Sequence, residues 1–84
     1  MPYRYVLACE VAEDILELSA RRRSEFVQIF RSLAQHPFEP GERSFKDSSG
    51  RGIQKKNCGP WWVSYWTDHP LQEVRIVGIQ RAKQ

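Results

Sequence analysis

Residues 51–81, RGIQKKNCGPWWVSYWTDHPLQEVRIVGIQR, carry the side chains best suited to chemistry. Arg51, Lys55, Lys56, Arg75 and Arg81 supply positive charge; Trp62 and Trp66 supply large flat rings. Cations attract phosphate oxygens and flat rings stack on bases, so the combination suits a partner that carries both. The same rings suit a protein partner that covers an exposed apolar patch.

Alternation decides which of these groups share a surface. Successive side chains of a strand point to opposite faces. In the run 61–68, Trp61, Val63 and Tyr65 form a set fit for a core, and Trp62 and Trp66 fall on the other face. In the run 73–80, Val74, Ile76 and Gly78 are expected to face the core, with Glu73, Arg75, Val77, Ile79 and Arg81 opposite. Trp62, Trp66, Arg75 and Arg81 should therefore converge on one open surface. One or both of Lys55 and Lys56 should join them.

The remaining segments must build that surface. Tyr3 to Cys9 reads as a first strand. Val11, Ile15 and Leu18 then take helical spacing, Leu16 widens the stripe, and Glu10, Glu13 and Asp14 complement the dipole at the helix start. Phe26, Ile29, Phe30 and Leu33 predict a second helix, capped by Ser19 or Ser24 and ended at His36-Pro37. The short spacer predicts an antiparallel helix hairpin. After it come a connection over residues 38–50, with a short strand at Arg43–Lys46, and strands at Gly52–Asn57, Trp61–Asp68 and Glu73–Gln80. Cys58-Gly59-Pro60 and His69-Pro70-Leu71 make hairpin-sized gaps. The predicted class is α+β, with the helix hairpin on one face of a mainly antiparallel sheet.

Composition narrows the function. At 84 residues the chain is expected to be a single domain spanning 1–84. A chain of this size buries roughly 60–65% of its unfolded surface, leaving little room for an enclosed active site. Net charge of +3 permits nucleic-acid binding without requiring it. No run approaches a membrane span, and the acids after Cys9 break the pattern of a signal peptide. Cys9 and Cys58 are too few and too far apart for a disulfide scaffold or a zinc site. Reduced thiols fit a cytoplasmic protein, with no metal or cofactor expected.

The element order, the turn Asn57-Cys58-Gly59-Pro60, the run Trp61-Trp62-Val63-Ser64-Tyr65-Trp66 and the ending Ile79-Gln80-Arg81 together resemble the RelE/ParE family of bacterial toxins. The resemblance covers nearly the whole chain. It implies a toxin paired with an antitoxin. RelE-like members cut messenger RNA on the ribosome, and ParE-like members inhibit DNA gyrase. For RNA cleavage the resemblance implies that Arg81, with Lys55 or Lys56, supplies the catalytic charge. Arg51, Arg75, Trp62 and Trp66 would then bind RNA. Attack by a 2′-hydroxyl requires its deprotonation, stabilisation of the phosphate's growing charge, and protonation of the leaving oxygen. Clustered lysines partly serve all three, because neighbouring cations lower a lysine's pKa. The basic face, Arg81 and the family's more common activity favour ribosome-dependent RNA cleavage, the function expected here, while two departures favour the alternative of a binding role, either gyrase inhibition or antitoxin binding without catalysis. Trp62 stands where the family commonly has arginine, and the C-terminal tyrosine segment has no counterpart. Tyr65 reads as core, and His36 and His69 as structural residues.

Overall fold

Val11 and Ile15 lie one helical turn apart, as do Phe26, Phe30 and Ala34, so each helix presents an apolar stripe to a common sheet face. In the computed structural model, which describes residues 2–82, these stripes belong to α1 (Cys9–Leu16) and α2 (Ala20–Gln35). The strands are β1 (Arg4–Leu7), β2 (Arg43–Lys46), β3 (Gly52–Cys58), β4 (Trp61–Asp68) and β5 (Glu73–Arg81). They form one five-stranded sheet ordered β1-β5-β4-β3-β2. Only the β1–β5 pair is parallel. The α+β class, the order of elements and the largely antiparallel sheet agree with expectation.

The helices bury Val11, Ile15, Phe26, Phe30 and Leu33 against Val63, Tyr65, Val74 and Ile76. Phe30 is the hub: its ring lies 5.5 Å from Tyr5 and 5.9 Å from Phe26, which in turn meets Trp61 at 4.9 Å. Burial of each such side chain contributes about 1.5–3 kcal/mol. Leu16 departs from expectation. It ends α1 and is 70% exposed, while Leu18, in the inter-helix turn, packs against the core. Ser19 is the cap of α2, its hydroxyl accepting from the Arg22 amide at 3.3 Å.

Two glycines fix the connections around the sheet. β3 and β4 are joined by Gly59-Pro60 alone, and Gly59 has φ +64. Proline at the second position restricts φ to negative values, so the turn is of type II′, in which glycine comes first. Gly41 lies in the connection from α2 to β2. A Cβ there would stand 2.6 Å from the Lys55 carbonyl oxygen, so only glycine lets the loop run this close to β3. The Gly41 amide donates to Gln54 Oε1 at 2.8 Å, and the Glu42 amide to the Lys55 carbonyl at 2.8 Å.

A β-bulge changes the surface that the sequence predicts. Ser64 pairs with Gly78 but Tyr65 pairs with Ile76, leaving Val77 as an extra residue on β5. An inserted residue moves every later side chain to the opposite face. Glu73 and Arg75 remain on the open face, with Arg75 opposite Trp66. Ile79 and Arg81 turn to the helix face, opposite Val63 and Trp61. The expectation that Arg81 joins Trp62, Trp66 and Arg75 on the open surface is therefore corrected.

Candidate nucleic-acid interface

The sheet face away from the helices is a basic and aromatic surface contributed by all five strands. β4 presents Trp62, Ser64, Trp66 and Asp68. Registry places Asn57 and Lys55 of β3 beside Trp62 and Ser64, and Arg43 of β2 beside Lys55. Arg51, just before β3, continues the row. β5 contributes Arg75 and Gln80, and β1 contributes Arg4 and Val6. Ile53 lies opposite Phe45 on this face and is buried at 2% exposure although it is not part of the helix-side core.

Cations clasp the rings. The Arg51 guanidinium carbon lies 4.0 Å from the centroid of Trp66, and that of Arg75 lies 5.7 Å away. Arg43 stands over Trp62 at 4.9 Å, and the Lys55 ammonium over Phe45 at 5.5 Å. Such contacts contribute about 0.5–1 kcal/mol at exposed sites. They also hold the charged heads in place before any ligand arrives.

One buried acid balances part of this charge. Glu73 is 5% exposed and accepts from Arg4 at 2.6 Å and from Arg75 at 2.7 Å. The hydrogen bonds from Arg4, then Arg75, hold its carboxyl below the ordinary value. Arg43, Arg51 and Lys55 form no ion pair among the described residues. They are the cations this face leaves available to a phosphate backbone.

Of the residues singled out from sequence, Lys55, Arg51, Arg75, Trp62 and Trp66 share this face. Lys56 and Arg81 do not. Lys56 lies opposite the buried Val63 and pairs with Glu39 at 3.4 Å. Arg81 packs over the Trp61 ring at 5.7 Å. Sequence reasoning missed Arg43 and Arg4, and placed Glu73 on this face without its role as the acid shared by Arg4 and Arg75. The alternation Arg43-x-Phe45 is the signal for the first, once β2 is paired with β3.

The remaining reactive side chains sit elsewhere. Burial raises the pKa of Tyr65 and of Cys58, keeping both protonated, on the helix side of the sheet. His36 closes α2 through its Nδ1, 2.9 Å from the Ser32 carbonyl. His69 is drawn to Tyr3, whose hydroxyl lies 2.8 Å from Nδ1. Among the described residues no three His, Cys, Asp or Glu side chains cluster as a metal site needs, and no helix is long and apolar enough to cross a membrane. Lys83 and Gln84, at the end where the family resemblance would look for a tyrosine, lie outside the described residues.

No protein-family model matches the chain, and no curated protein matches its sequence. Solved structures do match it in fold. A chain of the RelBE2 toxin–antitoxin complex of Mycobacterium tuberculosis is 18% identical with a TM-score of 0.77, the match covering 98% of this chain and 100% of that one. A chain of the archaeal RelE–RelB complex of Pyrococcus horikoshii is 16% identical with a TM-score of 0.71, over 96% of each. The isolated RelE toxin of E. coli is 12% identical with a TM-score of 0.71, over 98% of this chain and 86% of that one. The chain has the fold of RelE toxins, with a basic aromatic face on the side of the sheet its helices leave open.

Proposed function

We propose that this protein is the toxin of a toxin–antitoxin pair and that it acts on messenger RNA at the ribosome through the open face of its sheet. Its support is the RelE fold together with one feature of this chain. Arg43, Arg51 and Lys55 lie on one face and form no ion pair among the described residues, beside Trp62 and Trp66. Cations bind the backbone and the rings meet bases. Lys55 is the catalytic residue of this reading. Its ammonium stabilises the phosphate's growing charge as the 2′-oxygen, its proton passing to solvent water, bonds to phosphorus, and donates the proton taken up by the 5′-oxygen as the P–O5′ bond breaks to leave a 2′,3′-cyclic phosphate. Arg43 and Arg51 hold the flanking phosphates. The antitoxin covers this same face, shielding Trp62 and Trp66 until it is removed.

A second reading, a binder that does not cut RNA, has its own support. Arg81 and Lys56, two of the three cations the family resemblance singles out, lie on the opposite face, and Trp62 stands where an arginine is common. Such a protein would inhibit gyrase or engage only its antitoxin.

Expression of the chain without its antitoxin, with mapping of messenger RNA ends, separates these. Growth arrest with new 5′ ends that are lost in Lys55→Ala supports RNA cleavage. Arrest with intact messenger RNA points to gyrase. A folded protein that arrests nothing is a binder alone.

A further inference from the structure

Phe38 is 78% exposed, yet its ring is held in place. It stacks on His69 with centroids 5.0 Å apart and planes 8° from parallel. Tyr3 meets both rings edge-on, at 5.8 Å and 5.7 Å. The Tyr3 hydroxyl pairs with His69 Nδ1 at 2.8 Å. It donates to Nδ1 or accepts from it according to the ring's tautomer, so either tautomer keeps the contact. Three distant stretches meet here: the chain start, the loop after α2 and the β4–β5 connection. The tie of Gly41 to β3 anchors that loop.

The platform lines a cleft of about 520 Å³, which it shares with Glu39, Gln54, Arg51 and Trp66. A second concavity of about 480 Å³ lies on the open face between Arg75, Asp68 and Val6, and it too is lined by Arg51 and Trp66. The two hollows thus meet at one residue pair. The guanidinium at the joint forms no ion pair among the described residues, Asp47 accepting from the Arg51 backbone amide instead, and the cleft's own acid, Glu39, is paired with Lys56. A groove that carries positive charge at a corner and aromatic rings at intervals is the design that follows a single nucleic-acid strand.

We propose that the cleft is a nucleotide subsite for single-stranded RNA. The strand passes from the Trp62–Trp66 face around the end of the sheet, Arg51 holds the phosphate at the corner, and one base stacks on the Phe38–His69 platform. The ring needs no ordering on binding, because His69 and Tyr3 already hold it. This inference rests on the RNA reading above and adds to it a position at which a base is held off the open face.

A ladder of fluorescently labelled oligoadenylates, lengthened one nucleotide at a time, tests it by equilibrium binding. With the parent protein, affinity should rise in one step of roughly 5- to 150-fold at the length that reaches the platform. An abasic residue at that position should abolish the step. Phe38→Ala should also abolish it while leaving the affinity of shorter strands unchanged. His69→Ala should reduce it. Both side chains are exposed, so circular dichroism should show folded variants. A step that persists in Phe38→Ala overturns the subsite and leaves the RNA reading standing. No binding by the parent at any length overturns the subsite, while the mapping of messenger RNA ends decides the RNA reading by itself. An unchanged ladder with weakened capture of the co-expressed antitoxin makes the platform a protein contact, and also overturns the subsite.

Discussion

Arg75 and Arg81 belong to one strand and point to opposite faces of the sheet, Arg75 toward Trp66 and Arg81 over Trp61. The extra residue Val77 separates their two registers. A strand without the bulge would put both arginines on the open face and Ile79 in solvent. With it, Ile79 reaches the core, and the open face keeps a positive end beside Trp66.

The two faces should respond differently to loss of charge. Each phosphate contact to a single strand contributes about 0.7 to the slope of log affinity against log salt. Lys55→Ala should therefore lower that slope by about 0.7 for any RNA sequence. Arg81→Ala should leave the slope unchanged and cost about 0.5–1 kcal/mol of stability through its contact with Trp61. Salt titrations of both variants provide the comparison. A slope reduced equally in the two would place RNA on both faces.

Much of this architecture was legible in the sequence. The apolar spacing of Phe26, Ile29, Phe30 and Leu33 and the alternation in residues 61–68 depend on short-range periodicity, and both appear as read. The side of Arg81 was not, because a period-two reading assumes a continuous pleat. A hint was present: Val77 and Ile79 share parity with Arg75 and Arg81, an unlike set for one face, and Gly78 interrupts the strand interior where bulges occur. Arg43 was hidden for another reason. β2 is four exposed residues with no apolar stripe of its own, so its orientation is set by pairing with β3 rather than by local pattern. The His69–Tyr3 contact joins residues 66 positions apart, and no local pattern encodes it.

The core hub gives a stability prediction. Phe30 is fully buried, between Tyr5 and Phe26. Phe30→Ala should cost about 3–5 kcal/mol, from lost transfer energy and the cavity left behind. Small domains have about 5–15 kcal/mol in all, so the urea midpoint should fall steeply. A midpoint equal to the parent's would remove Phe30 from the core.

Trp66 tests the antitoxin contact. Arg51 and Arg75 flank its ring, holding it upright on the open face. Tryptophan is enriched among interface hot spots, where truncation costs at least about 2 kcal/mol, or roughly 30-fold in Kd. Trp66→Ala should weaken the antitoxin complex by at least that factor in a calorimetric titration. Undiminished affinity would exclude this part of the face from the interface.

Glu73 sets a pH dependence whose sign follows from its partners. The guanidinium groups of Arg4 and Arg75 hold its folded-state pKa below the ordinary 4.5. The unfolded chain therefore binds a proton more readily than the folded one. The stability contributed by this carboxylate is complete above the ordinary value and is lost as pH falls through the lowered one. Glu73→Gln keeps the shape but leaves two cations without their shared acid. The variant should be less stable than the parent at neutral pH, and the gap should narrow as pH falls from the ordinary carboxylate value through the lowered one, below which the parent's carboxylate is also neutralised. Urea unfolding of both proteins across that range measures it. A gap independent of pH would mean that Glu73 acts through packing alone, and that Arg75 does not depend on its charge to hold its place beside Trp66.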